Sequence, residues 1–186
     1  GCRVGACVRP RAGVFHWSEV EVAMMEAEIA TVRPAGLHGV VLGASLPDGR
    51  LDLPVLLRLV AASRGLELVL HRCIDLTPDM GAALEEAISL GFHRILTSGG
   101  ETTAELGAAR IAALVRQAAG RITVMPGSGV TPGNAAMLKG LGIREIHASC
   151  SVSTPVSGRA VEMGFAPSLR RQTEADAVRA LRKALE

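Results

Sequence analysis

Leu66-Glu-Leu-Val-Leu-His-Arg-Cys-Ile-Asp75 sets an imidazole, a guanidinium, a thiol and a carboxylate directly behind an apolar run. The run lacks polar alternation, which suits a strand buried on both faces in a parallel sheet. The C-terminal ends of such strands are where α/β proteins place their sites. His71 and Asp75 are candidate acid–base groups, and Arg72 is a candidate anion ligand. A second cluster, Glu145-Ile-His-Ala-Ser149, offers His147 as another acid or base and Ser149 as a hydrogen-bonding group. Val8-Arg-Pro-Arg11 offers two guanidinium groups, Arg9 and Arg11, that could clamp a carboxylate or phosphate. Gly127-Ser-Gly-Val-Thr-Pro-Gly-Asn134 is a glycine-rich turn running into a helix start, where backbone N–H groups at Gly127 and Gly129 can hold an anion. The glycines also suit a tight turn with no ligand. Ser98-Gly-Gly100 is a similar, weaker turn. Finally, Cys7 and Cys73 with His71 could supply soft donors to Cu(I), although a buried free cysteine commonly serves as a small hydrophobe.

These groups need a scaffold, and the sequence supplies a repeating one. Ala35-Gly-Leu-His-Gly-Val40, Leu90-Gly-Phe-His-Arg-Ile95 and Leu141-Gly-Ile-Arg-Glu-Ile146 each read as a helix end, a left-handed glycine cap and a strand. Gly65 and Gly120 mark two more such junctions. Helix starts fall between them. Ser18 with Glu21 and Thr102 with Glu105 read as capping boxes, Asp52 precedes Pro54, and Thr77-Pro78 and Thr131-Pro132 place proline at the first helical position. The last helix is expected from about Thr173 to Leu185, acidic at its start and basic at its end. Strands are expected at 4–9, 39–44, 66–72, 94–97, 121–125 and 145–149. Strict β-then-α alternation means one parallel sheet. With polar groups at nearly every strand end, the expectation is a TIM-type (β/α) barrel of about six units, incomplete, forming a single domain over residues 1–186.

Strand parity then assigns faces. Ala6, Val8, Leu68, Leu70, Ile122, Val124, Ile146 and Ala148 suit the helix layer. Cys7, Arg9, Arg11, Val69, His71, Cys73, Thr123, Met125, His147 and Ser149 point into the barrel, with Arg72 and Asp75 at its rim. His38 and His93 fall at the opposite, stability end.

Composition limits the alternatives. The chain of 186 residues is 48% hydrophobic and only 2% aromatic, so its core is aliphatic. A net charge of +2, with no basic run, argues against nucleic acid as a partner. No apolar run approaches the roughly 20 residues that span a bilayer. The four scattered cysteines, without a CxxC, suit reduced thiols in a cytoplasmic protein.

The motifs together resemble the CutC family, copper homeostasis proteins with a (β/α)₈-like barrel. The resemblance is carried by Val8-Arg-Pro-Arg11, Gly39-Val-Val-Leu-Gly43 with Asp48-Gly49 and Asp52, and His71-Arg72 with Asp75. It continues through Arg94-Ile-Leu-Thr-Ser-Gly99, Val124-Met-Pro-Gly-Ser-Gly-Val130 with Asn134, and Glu145-Ile-His-Ala-Ser149. It implies a role in copper homeostasis, with Cu(I) as cofactor or cargo. Against the family pattern the chain reads as units three to eight, the first two absent, so that truncation or a covering partner chain is expected. The loop after Ser149 is shorter than the family's. The residues themselves favour a different function, an enzyme acting on a small anionic metabolite. Homo-oligomerisation is a further expectation.

Overall fold

The computed structural model describes residues 3–186; Cys2 lies outside them. Five short parallel strands follow the chain in strict order, β1 (Gly5–Cys7), β2 (Gly39–Leu42), β3 (Glu67–Leu70), β4 (Arg94–Thr97) and β5 (Thr123–Pro126). The helices between them are α1 (Glu19–Val32), α2 (Leu53–Ala62), α3 (Met80–Ser89) and α4 (Ala108–Ala118), and α5 (Pro132–Lys139) follows β5. Right-handed crossovers that all step the same way put every helix on one face. A doubly wound sheet would reverse direction at a switch point. The chain therefore has the winding of a (β/α) barrel wall.

Burial follows the alternation. Val8, Val40, Leu42, Leu68, Leu70, Ile95 and Val124 are buried against the helices, joined by Met25, Ile29, Leu56, Leu59, Leu84, Ile111 and Leu138. The opposite parity, Val41, Val69, Leu96 and Met125, is half-buried, and Cys7 is exposed. That inward face of the wall is open.

Caps fix most helix starts. Ser18 and Glu21 form the expected capping box, and Asp52 accepts from the Val55 N–H at 3.2 Å. Two starts differ from expectation. Thr77 closes a 3-10 turn (Arg72–Leu76) by donating to the Ile74 carbonyl, so Asp79 caps α3 instead. Glu105 is drawn to Asn134, whose amide donates to it at 3.1 Å. Residues 102–107 then form turns, and α4 begins after Gly107. A Cβ at Gly107 would lie 1.8 Å from the Ser98 carbonyl oxygen, so only glycine permits that approach.

The final third departs furthest. The expected strand at 145–149 does not form. His147 N–H donates to the Pro126 carbonyl at 2.8 Å, which lays this segment beside β5 without a ladder. An antiparallel hairpin, β6 (Ser151–Pro155) and β7 (Leu169–Thr173), replaces the remaining parallel wall, with the short α6 (Arg159–Glu162) between its strands. The closing helix α7 (Ala175–Leu185) packs on α5. Among the described residues the barrel is not closed by hydrogen bonds, and no helix is long and apolar enough to cross a membrane.

Candidate functional site

Asp75 is the best-anchored polar group at the strand ends. It sits in the 3-10 turn behind β3, with its side chain only 6% exposed. Its carboxylate accepts from Arg72 Nε at 2.7 Å, from the Thr97 hydroxyl, from the Ser98 N–H and hydroxyl at 3.1 Å, and from the Gly100 N–H at 3.1 Å. Such saturation suits holding a neighbour in place more than exchanging a proton. The neighbour is Arg72, whose Nη2 donates to the Ser98 hydroxyl at 2.5 Å and the Glu101 carbonyl at 3.1 Å. Arg72 Nη1 has no acceptor among the described residues.

Arg72 forms one wall of a cavity of about 510 Å³. Ser128, Gly129 and Thr131 from the β5–α5 turn, His147, Ser149 and Arg171 supply its polar lining, beside apolar side chains such as Leu96 and Leu181. The turn is stiffened by Asn134, which accepts from Thr131 N–H at 2.9 Å and donates to the Gly129 carbonyl at 2.9 Å. Ser128 takes a left-handed φ of 77° and donates to the Thr102 carbonyl at 2.7 Å. The N-terminus of α5 carries a partial positive charge on the same side. Gly127 makes room for Leu96, since a Cβ there would stand 2.5 Å from Leu96 Cδ1, and the His147 ring lies beside the same position. Arg171, on β7, has no acidic partner among the described residues. Two guanidinium groups, a helix N-terminus and hydroxyls facing one space favour an oxygen-rich anion.

The structure thus brings Arg72, Gly129, His147 and Ser149 together, with Ser98 behind Arg72 and Gly127 beneath His147. It does not bring Arg9 and Arg11 there. Arg9 donates to the carbonyls of Arg11 and Gly13 at 2.9 and 2.8 Å, and Arg11 pairs with Glu21 at 2.6 Å. Both guanidinium groups hold the β1–α1 loop together. His71 also lies apart from the cavity, 6% exposed, with its ring 4.3 Å from that of Phe15. Its Nδ1 accepts from the Cys73 N–H at 3.2 Å, which assigns the proton of the neutral ring to Nε2. Burial, reinforced by the nearby Arg9 charge, pushes its pKa down to about 4.

Cys73 corrects the parity expectation. It belongs to the 3-10 turn rather than to β3, so strand alternation does not apply, and it is fully buried in the apolar core. Burial raises its thiol to about 12. Cys7 is exposed on β1, its thiol raised by partial desolvation. Cys7 lies on β1 and Cys73 in the turn after β3, with β2 between those two strands. Among the described residues no three His, Cys, Asp or Glu side chains converge as metal ligands. The pair does not fit a shared Cu(I).

Arg171 is the cavity residue that sequence reading missed. The alternation in Ser151-Val-Ser-Thr-Pro155 and the matching Leu169-Arg-Arg-Gln-Thr173 were the available hairpin signal.

The model of the CutC family matches residues 2–152. A CutC family protein of Sinorhizobium medicae is 49% identical over 185 residues, covering 98% of this chain and 76% of the relative. One from Rhizobium meliloti is 48% identical over the same shares. A solved CutC structure from Streptococcus agalactiae, named for copper homeostasis, superposes with a TM-score of 0.76 at 31% identity, covering 79% of this chain and 72% of that one. The order of strands, the motifs at their ends and these similarities agree that the chain belongs to the CutC family.

Proposed function

We propose that this chain binds a small anionic metabolite in the cavity between Arg72 and Arg171. The observation that carries the reading is Arg72. A buried carboxylate fixes one edge of its guanidinium while Nη1 is left to donate into the cavity. Arg171 and the N–H groups at the start of α5 supply the balancing positive potential. His147 borders the same space, where it can exchange a proton with a bound oxygen, so acid–base chemistry on the ligand is compatible with the geometry. On this reading, an influence on copper tolerance such as the family name suggests acts through the bound metabolite.

The test is calorimetric titration with inorganic phosphate. Arg72→Gln and Arg171→Gln should each weaken binding about tenfold or more, the usual worth of a charge-assisted hydrogen bond. Unchanged affinity in both variants would sink the proposal.

A direct copper role rests on Cys7, whose thiol is the exposed one of the three described cysteines. Cu(I) titration separates the two readings. Loss of stoichiometric Cu(I) binding in Cys7→Ser, with phosphate binding intact, would establish the copper role beside the anion site.

A further inference from the structure

Two polar side chains under the β1–α1 loop are buried without partners. His71 Nε2 and the Ser45 hydroxyl have no hydrogen bond, although the residues are only 6% and 4% exposed. Groups in that state have given up water and gained nothing in return. Both residues touch Phe15. Ser45 N–H donates to the Phe15 carbonyl at 2.8 Å, and the Phe15 ring lies on the His71 ring. On its other side Phe15 carries the Arg9 guanidinium, 4.7 Å from the ring centroid. The loop is fastened at both ends, by Arg11 to Glu21 and by the Trp17 indole N–H to the Gly43 carbonyl at 2.8 Å. Phe15 itself is only half-buried. Its side chain can therefore swing outward without unfastening the loop.

We propose that His71 Nε2–H and the Ser45 hydroxyl form a second binding site, for a small carboxylate, which the Phe15 ring plugs in this structure. A carboxylate carries two acceptor oxygens, one for each of these neutral donors. Arg9, whose Nη1 has no acceptor among the described residues, supplies the single positive charge. Gly43 is the floor of the site. A Cβ there would stand 2.5 Å from His71 Cε1 and 2.6 Å from Cys73 Sγ, so glycine at this position leaves the space that the His71 ring occupies. A carboxylate entering beneath a displaced Phe15 would satisfy both orphaned groups at once. The site shares no residue with the Arg72 cavity, so it stands or falls independently of the proposed function.

Acetate is the probe, and the His71 Nε2–H resonance of the full chain is the readout. Acetate should shift that resonance in the wild-type protein. Phe15→Ala should bind acetate about tenfold more tightly, the factor expected when the plugged state holds about nine-tenths of the population. Adding Ser45→Ala to Phe15→Ala should reverse the gain, while phosphate binding at Arg72 stays unchanged. If Phe15→Ala does not fold, Phe15→Leu replaces it as a shorter plug. An unmoved His71 resonance at saturating acetate in the folded variant overturns the proposal. So does a His71 N–H held by an ordered water that acetate fails to displace.

Discussion

His71 and Asp75 lie four positions apart and meet opposite physical demands. His71 is held neutral by burial down to about pH 4, whereas an unfolded chain protonates it at the ordinary 6.5. Between those values the unfolded state binds the extra proton, so this contribution is complete above pH 6.5 and lost as pH falls toward 4. The shift corresponds to about 3 kcal/mol. Urea melts from pH 7 to pH 4 should show that loss in the wild type and much less of it in His71→Gln. Asp75, by contrast, is buried as the acceptor of hydrogen bonds from β4 and from Arg72. Asp75→Asn turns part of that acceptor into a donor facing other donors, and should lower stability by about 3 kcal/mol. It should also release Arg72 and weaken phosphate binding. A variant with full stability and full phosphate affinity would refute the positioning role. The sequence displayed both residues as one motif, but nothing local indicated that Phe15 would cover one and Ser98 would hold the other.

At the scale of elements, the β5–α5 turn and the terminal hairpin are unequal supports for one cavity. The turn is pinned by Asn134, which bonds Thr131, Gly129 and Glu105 at once. Asn134→Ala should cost about 1–2 kcal/mol by removing this cap. Faster amide exchange at residues 127–131 is the measurement, and unchanged exchange there would contradict it. Among the described residues the hairpin β6–β7 pairs only with itself, and nearly all of its residues are exposed. A lone two-stranded hairpin is marginal in water. Hydrogen exchange should therefore be fastest at 151–155 and 169–173 and slowest in β2, β3 and β4. Equal protection across both sheets would contradict this. The helix starts at Ser18, Asp52 and Thr131 were legible because a cap depends on residues three positions away. The start of α4 was not, because Glu105 found a more distant partner in Asn134.

At the largest scale, the described residues form a five-stranded parallel sheet with β1 and β5 at its edges, beside a separate hairpin. The outer side of β1 has no neighbouring strand among the described residues, and β5 is met by the single bond from His147 to Pro126. Exposed parallel edges with a half-buried inner face favour association. Sedimentation should show mass rising with protein concentration, and a sharp monomer at every concentration would contradict this. At this scale the division between chain and fold is clear. The sequence by itself determined the βα alternation, the parallel winding, the aliphatic helix-facing side of each strand and the positions of most caps. Each of these depends on residue spacing within a few turns, on glycines at left-handed positions such as Gly36 and Gly91, or on hydrophobic period. Only the tertiary structure decided that Arg9 and Arg11 fasten their own loop, that Cys73 turns into the core, and that segment 145–149 stops short of a strand. It also decided that Arg171 arrives from a separate hairpin to face Arg72. Those outcomes depend on which distant groups compete for each donor, acceptor and apolar surface, and spacing along the chain does not encode that competition.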